Sequence, residues 1–249
     1  MNVSKEHVNI IGHRGAAGLA PENTQISFEM ASQSGIDGVE FDVQMTKDKK
    51  LVVIHDHDVK RITKEDGLVK DFTLTEIKKL DAGGYFSPEY KGQQILTLEE
   101  TLDLVKDFNI INLEIKNGPV IYPEIEEKVI YVIKQFKLED KIIISSFNHY
   151  TLNKIKQIEP DIKTGVLYMA GLYQPWEYIN KIKAWSAHPY FAGVRPEIVR
   201  GCQKKGVNVI VFGVNDDHVI EKLIKMGVDG IITDFPDRAK DIRDKYLNL

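Results

Sequence analysis

The chain has 249 residues, of which 43% are hydrophobic and 28% charged, with a formal net charge of −4 at pH 7. This composition excludes disordered, collagen-like and low-complexity chains. The charge balance lacks the basic footprint of a nucleic-acid-binding protein, and no apolar run reaches the ~18 residues that a membrane-spanning helix needs. The polar N-terminal residues predict no secretory signal. The single cysteine, Cys202, excludes an intramolecular disulfide and favours a reducing, cytoplasmic compartment.

Short runs rich in Val and Ile alternate with amphipathic segments along the chain. Several runs are continuously apolar, which is typical of strands covered on both faces, and the alternation predicts a parallel α/β fold. The predicted strands are residues 8–11, 38–45, 51–54, 110–115, 141–145, 164–168, 184–190, 207–214 and 230–233. Thr97 with Glu100 predicts a capping box that opens a helix over 98–108. The other predicted N-caps are Asn23, Asn148 and either Asp216 or Asp217.

One connection is too short for a parallel crossover. Only residues 46–50 separate the second and third predicted strands, so these two form an antiparallel hairpin. Eight parallel strands then remain, the number in a TIM (β/α)₈ barrel of about 250 residues. The alternative, a doubly wound sheet, lacks its G-x-G-x-x-G turn. We predict one barrel domain over residues 1–249, with a small insertion at about 58–94 after the hairpin.

The hairpin carries acidic and imidazole side chains. A two- or four-residue turn would pair Asp42 with His55 and Glu40 with His57, and would place all four side chains on one face. Glu40 and Asp42 lie within an apolar strand, where ionised carboxylates need a cation or hydrogen-bond partners. The alternative is an exposed polar face without a function.

A third carboxylate, Glu114, lies at the carboxyl end of a predicted strand, with Lys116 two residues further on. Active sites of barrels are built at that end. Glu114 either forms an ion pair with Lys116 or joins Glu40 and Asp42 as an oxygen ligand. Three carboxylates without a Cys/His cluster favour Mg²⁺ or Ca²⁺ over zinc.

The first strand is followed by His13 and Arg14 between two glycines. This places a proton-transfer group and a fixed cation at the same rim of the barrel. Arginine suits bidentate contact with phosphate oxygens, and Lys116 adds a point charge. The combination favours metal-assisted phosphoryl chemistry over acyl transfer, for which the G-x-S-x-G motif is absent.

Nearly end to end, the sequence resembles the glycerophosphodiester phosphodiesterases, a family of TIM barrels with a small insertion. The matching motifs are His13-Arg14-Gly15, Pro21-Glu22-Asn23-Thr24, Glu40-Phe41-Asp42, Val53-Ile54-His55-Asp56 with Arg61, Asp71-Phe72-Thr73-Leu74, Leu98-Glu99-Glu100, Asn112-Leu113-Glu114-Ile115-Lys116, Ser145-Ser146-Phe147 and Gly227-Val228-Asp229-Gly230-Ile231-Ile232-Thr233-Asp234. Their order and spacing together make the resemblance specific.

The resemblance implies release of an alcohol and sn-glycerol 3-phosphate from a small-molecule diester. It assigns His13 and His55 as the acid/base pair, Glu40, Asp42 and Glu114 as metal ligands, and Arg14 and Lys116 as phosphate-binding residues. In the reaction that it implies, the 2-hydroxyl of the substrate attacks phosphorus and water opens the cyclic phosphate. We expect His13 to be the first base. No role is implied for His57.

The sequence departs from the family at Phe212-Gly213-Val214-Asn215, where Trp-Thr-x-Asn is frequent. This change is expected to reshape the glycerol side of the pocket. Phe147, Tyr168 and Phe212 are candidate pocket residues, with the barrel core as the alternative for such aromatic side chains.

Three other functions compete with glycerophosphodiester hydrolysis. A lysophospholipase D would need an apolar rim, for which Tyr85, Phe86 and Tyr90 are candidates. A phospholipase C without metal is disfavoured by the three carboxylates. A non-catalytic phosphate-binding barrel is disfavoured by the presence of both histidines.

Overall fold

Eight parallel strands close into a barrel at the centre of the computed structural model, which describes residues 8–247. The strands are β1 (Asn9–Gly12), β2 (Gly38–Met45), β3 (Leu51–Val53), β4 (Leu96–Thr97), β5 (Ile110–Ile115), β6 (Ile142–Ser146), β7 (Lys163–Tyr168), β8 (Ser186–Pro189), β9 (Asn208–Val211) and β10 (Gly230–Thr233). β1 pairs with both β2 and β10 and so closes the barrel, while β3 and β4 pair antiparallel beside β2. The predicted TIM barrel is confirmed. Most of the polar N-terminal segment, expected to carry no secretory signal, lies before the described residues.

The helices are α1 (Gln25–Gln33), α2 (Lys60–Thr63), α3 (Leu74–Ile77), α4 (Leu98–Val105), α5 (Ile125–Phe136), α6 (His149–Ile158), α7 (Pro175–Lys181), α8 (Pro196–Lys204), α9 (Asp217–Met226) and α10 (Pro236–Leu247). The capping box before α4 is confirmed, as are the N-caps Asn148 and Asp216. The prediction of Asn23 as an N-cap is wrong. Thr24 caps α1 by accepting a hydrogen bond from the Ser27 amide, while Asn23 donates to Asp42.

The hairpin of β2 and β3 has a different register from the one predicted. Val43 pairs with Val53, so Asp42 lies opposite Ile54, whose amide donates to the Asp42 carbonyl at 3.0 Å. The turn has an odd number of residues because Lys49 adopts a left-handed conformation, φ 60°. The predicted cross-strand pairs of Asp42 with His55 and of Glu40 with His57 are therefore wrong. His55 follows the last ladder residue of β3, so its direction is set by contacts outside the sheet.

The segment between β3 and β4, where we expect the insertion, folds into α2, α3 and two short 3₁₀ turns. It has its own apolar cluster, in which Val59, Ile62 and Ile77 pack against Val52 and Ile54 of the hairpin. The two-residue strand β4 was not predicted.

Isoleucines from four strands fill the barrel interior: Ile11, Ile143, Ile210 and Ile232. Side chains two residues further along a strand point to the same face. The next inward positions, at the carboxyl ends, are therefore His13, Ser145, Phe212 and Asp234. The apolar layer thus forms a floor beneath a layer at the carboxyl end of the barrel that is polar except for Phe212.

Candidate active site

The three predicted carboxylates meet inside the barrel. Glu40 and Asp42 point inward from β2, and Glu114 of β5 lies beside Asp42 in the parallel ladder. Each offers an oxygen atom, and these oxygens lie within 4.8 Å of one another. All three residues are buried, with Asp42 fully so. We call these residues the acidic cluster.

Lys116 and Arg14 lie against the acidic cluster. Lys116 Nζ is 2.6 Å from Glu114 Oε1 and 3.2 Å from Asp42 Oδ1, and Arg14 Nε is 3.4 Å from Asp42 Oδ2. Burial favours the protonated form of Asp42, but the two cations outweigh it and hold the pKa of this carboxyl well below its usual range. The sequence left open whether Glu114 pairs with Lys116 or joins Glu40 and Asp42. The structure shows both arrangements at once.

The other two carboxyl groups are harder to ionise. Burial, together with the neighbouring carboxylates, raises the pKa of both Glu40 and Glu114. Apart from its ion pair with Lys116, Asp42 Oδ1 has no hydrogen-bond partner within the described residues. Three buried carboxyl groups that face only two cations fit a hard divalent cation, which prefers oxygen ligands and favours their ionised forms.

Each candidate catalytic histidine is held by an aspartate. His13 Nδ1 is 2.6 Å from Asp234 Oδ1, and His13 Nε2 is 3.9 Å from Glu40 Oε2. His55 Nδ1 is 2.6 Å from Asp56 Oδ1. In each case the aspartate engages Nδ1, so Nε2 is the ring nitrogen that remains available for another partner.

The two aspartates differ in their second partner. The other oxygen of Asp234 accepts from the neutral amide of Asn215, whereas that of Asp56 accepts from the Arg61 guanidinium. Burial, together with Lys116 and Arg14, lowers the pKa of His55. Sequence reasoning gave neither aspartate a role. The adjacency of His55 and Asp56, and the position of Asp234 after a strand, were the available signals.

Glu22 connects Arg14 to the segment between β3 and β4. This buried carboxylate accepts from Arg14 Nη1 at 2.8 Å and from both terminal nitrogens of Arg61 at 2.7 Å. The Glu22 amide donates to the hydroxyl of Tyr85. Arg14 is thereby fixed from one side by Glu22 and faces Asp42 on the other.

The site residues line a cavity of about 220 Å³. Its lining comprises His13, Arg14, Glu40, His55, Asn112, Glu114, Lys116, Phe147, Leu167, Phe212, Gly213 and Ile232. A groove of about 730 Å³ adjoins it and shares His55, Glu114, Lys116 and Phe147. The seven predicted site residues are thus together, apart from Asp42, which lies beneath the cavity surface and contacts Arg14 and Lys116.

Two of the three candidate pocket aromatics are present. The rings of Phe147 and Phe212 pack edge to face, with 5.8 Å between centroids. The prediction for Tyr168 is wrong, because its side chain belongs to the apolar cluster of the main core, on the opposite face of β7 from Leu167. His57 also lies outside the cavity and lines the groove instead.

Comparisons with known proteins agree with this geometry. Residues 13–238 match the glycerophosphoryl diester phosphodiesterase family. A glycerophosphodiester phosphodiesterase of Caldanaerobacter subterraneus subsp. tengcongensis is 50% identical over 92% of this chain and 94% of its own length, and one from Bacillus altitudinis is 44% identical over 95% and 98%. A phosphodiesterase structure from Oleispira antarctica, in complex with the product sn-glycerol-3-phosphate, superposes with a TM-score of 0.88 and 31% identity over 95% of this chain and 96% of that one.

Among residues 8–247, no helix is both long and apolar enough to cross a membrane.

Proposed function

Because this chain belongs to the glycerophosphoryl diester phosphodiesterase family and is therefore a phosphodiester hydrolase, we propose that it releases sn-glycerol 3-phosphate and an alcohol through the site described above. The observation that carries the proposal is the shared cavity: His13 and His55 line it together with the carboxylates Glu40 and Glu114.

The placement of the two histidines supports different roles for them. His13 lines only the smaller cavity, whereas His55 lines both the cavity and the groove. We propose that glycerol occupies the cavity and the leaving alcohol the groove. His13 Nε2 then takes the proton of the 2-hydroxyl, and His55 protonates the leaving oxygen.

The reaction has two steps. As the 2-oxygen forms its bond to phosphorus and gives its proton to His13, the bond from phosphorus to the leaving oxygen breaks and His55 supplies a proton to that oxygen. Water then adds to the cyclic phosphate with the roles exchanged, and the bond between phosphorus and the 2-oxygen breaks. Tethering the nucleophile lowers the barrier by up to roughly 7–11 kcal/mol, and each proton transfer contributes about 10²–10⁴-fold.

The acidic cluster would hold Mg²⁺ or Ca²⁺, which would stabilise negative charge on the phosphate oxygens. Arg14 and Lys116 would contact the non-bridging oxygens. Both are already held by carboxylates, so their orientation is fixed before substrate binds.

Exposed apolar side chains favour lysophospholipids as a second substrate class. Phe147, Tyr150, Met169 and Tyr173 follow the carboxyl ends of β6 and β7, and their exposed fractions are 46%, 87%, 57% and 89%. These side chains would supply the apolar rim that a lipid substrate needs, at a place other than the one predicted from Tyr85, Phe86 and Tyr90. A comparison of kcat/KM for glycerophosphocholine and lysophosphatidylcholine separates the two substrate classes.

The experiment that tests the main proposal is release of glycerol 3-phosphate from several diesters, with chelator and after readdition of Mg²⁺ or Ca²⁺. We expect release that requires the cation and that falls at least 10²-fold in His13→Ala and His55→Ala. Full activity with chelator would contradict the metal assignment, and unchanged activity of either variant would contradict the histidine roles.

We further propose a cytoplasmic location, in keeping with a single, buried and unpaired cysteine.

A further inference from the structure

Gln44 is a fully buried amide two residues after Asp42 on β2. Its Nε2 lies within hydrogen-bond distance of three successive carbonyl oxygens, and its two N–H groups are shared among them: those of Ile54 at 2.9 Å, His55 at 3.0 Å and Asp56 at 2.7 Å. One side chain thus holds the backbone on both sides of a candidate catalytic histidine.

These hydrogen bonds take the place of strand pairing beyond the end of the β2–β3 ladder. The ladder between β2 and β3 stops at Val53, so the carbonyls that follow have no strand partner, and buried backbone groups need one. Gln44 supplies it from the side chain. The path of the backbone at His55 and Asp56 therefore depends on the Gln44 amide.

The orientation of that amide is fixed by its hydrogen-bond partners. Gln44 Oε1 accepts from the Tyr122 hydroxyl at 2.7 Å and lies at the same distance from His57 Nδ1. A reversed amide would place an oxygen against three carbonyl oxygens. These carbonyls therefore set the orientation of the amide, with Oε1 towards Tyr122 and His57.

His57 extends the network to the loop after β5. Its Nε2 lies 3.0 Å from the carbonyl oxygen of Gly118, two residues beyond Lys116. Both ring nitrogens of His57 lie within hydrogen-bond distance of an oxygen atom, and a neutral ring donates to one of the two. The ring therefore lies between two loops, and it is absent from the lining of the catalytic cavity. This explains a histidine to which sequence reasoning assigned no role.

We propose that Gln44 is a positioning residue for His55 and Asp56, and that His57 and Tyr122 hold it in its working orientation. The proposal rests on the catalytic role of His55 proposed above. Catalytic groups work only within about 0.5 Å of their productive position, and a misplacement of about 1 Å can lower the rate by about 10²-fold. Loss of the Gln44 donors is expected to move the His55–Asp56 pair by releasing its backbone.

The test is steady-state kinetics of Gln44→Met, which keeps the bulk of the side chain and removes its donors. We expect kcat to fall by about 10²-fold, with KM and the calorimetric affinity of the substrate-free protein for Ca²⁺ within threefold of wild type. Tyr122→Phe, which removes one bond to Oε1, should lower kcat by about fivefold. His57→Asn, which retains a donor at the Nδ1 position, should keep more activity than His57→Ala.

Thr101→Val is the matched control. Thr101 is fully buried on α4, its hydroxyl donates one hydrogen bond to the carbonyl of Thr97, and neither residue lines the cavity. This variant should lower stability without changing kcat. A Gln44→Met protein with the kcat of wild type would overturn the proposal. So would a Gln44→Met protein in which kcat falls, KM rises and the affinity for Ca²⁺ falls together. If Gln44→Met does not fold, unchanged kcat in both Tyr122→Phe and His57→Ala would overturn it.

The same assay separates the two proposals. A wild-type protein that releases no glycerol 3-phosphate contradicts the proposed function. An active wild type, with His55→Ala inactive and Gln44→Met unaffected, contradicts only the positioning role.

Discussion

Asp234, at the carboxyl end of β10, lies 2.6 Å from the Nδ1 atom of His13, on the first strand of the barrel. The pair brings together residues from the two ends of the chain, and the parallel pairing of β1 with β10 makes this contact possible. An aspartate in this position holds the imidazole in one tautomer and stabilises its protonated form.

Asp234→Asn should therefore lower kcat by about 10²-fold or more with a small change in KM, because an amide does not fix the tautomer that leaves Nε2 free to accept a proton. Steady-state kinetics on a glycerophosphodiester checks this. Asp237→Asn, on the exposed surface of α10, is the control and should behave as wild type. A kcat of Asp234→Asn within threefold of wild type would show that His13 needs no orienting partner.

Divalent cations should stabilise the protein through the acidic cluster. At a cation concentration 100 times the Kd, the free energy of unfolding should rise by about 2.7 kcal/mol, measured by denaturant titration with and without chelator. Glu114→Gln should weaken this response strongly. Glu124→Gln, which alters an exposed ion pair with Lys49, should leave it unchanged. An equal response in both variants would place the binding site elsewhere.

His188 should make the protein sensitive to acid. Burial lowers the pKa of this fully buried imidazole to about 3, whereas in the unfolded chain it is about 6.5. Above pH 6.5 both states are neutral and the full stability is present. As the pH falls below 6.5 the unfolded state takes up a proton that the folded state does not, so stability is lost until about pH 3.

The His188 contribution amounts to about 2 kcal/mol between pH 7 and pH 5. Urea denaturation at the two pH values measures it, and His188→Gln should remove that part of the slope. Identical slopes for variant and wild type would mean that other groups cause the acid sensitivity.

Gly213 is required by the local backbone. Its φ is 75°, and a Cβ atom there would lie 2.7 Å from the ring of Tyr190. Gly213→Ala should lower the free energy of unfolding by about 1–3 kcal/mol, measured by urea denaturation. Gly171→Ala, where an added Cβ meets nothing within 4 Å, is the control. Equal stability of the two variants would contradict the requirement for glycine at position 213, where the family frequently has Thr.

The barrel and the acidic cluster could be predicted because they follow from short-range rules. Alternation along a strand places Glu40 and Asp42 on one face, and the position of Glu114 at a strand end places it at the same rim. Neither inference requires knowledge of how a turn is built. The same alternation would have excluded Tyr168, which lies one residue from the inward-facing Leu167.

The details that failed depend on contacts that sequence spacing does not reveal. Asn is a better N-cap than Thr, but the Asn23 side chain donates to Asp42 instead and Thr24 caps the helix. The hairpin register depends on the left-handed conformation of Lys49, and a shift of one residue exchanges the faces of a strand. The positions of His55 and His57 therefore could not be obtained by counting from the turn.

The double hold of Glu22 on Arg14 and Arg61 limits how the protein could be re-engineered. A chimaera that replaces the segment between β3 and β4, in order to admit a different alcohol, would delete Arg61 and leave a buried carboxylate with one cation where it had two. The donor segment would have to bring its own guanidinium to that point, or Arg14, the proposed phosphate-binding residue, would lose part of the network that orients it.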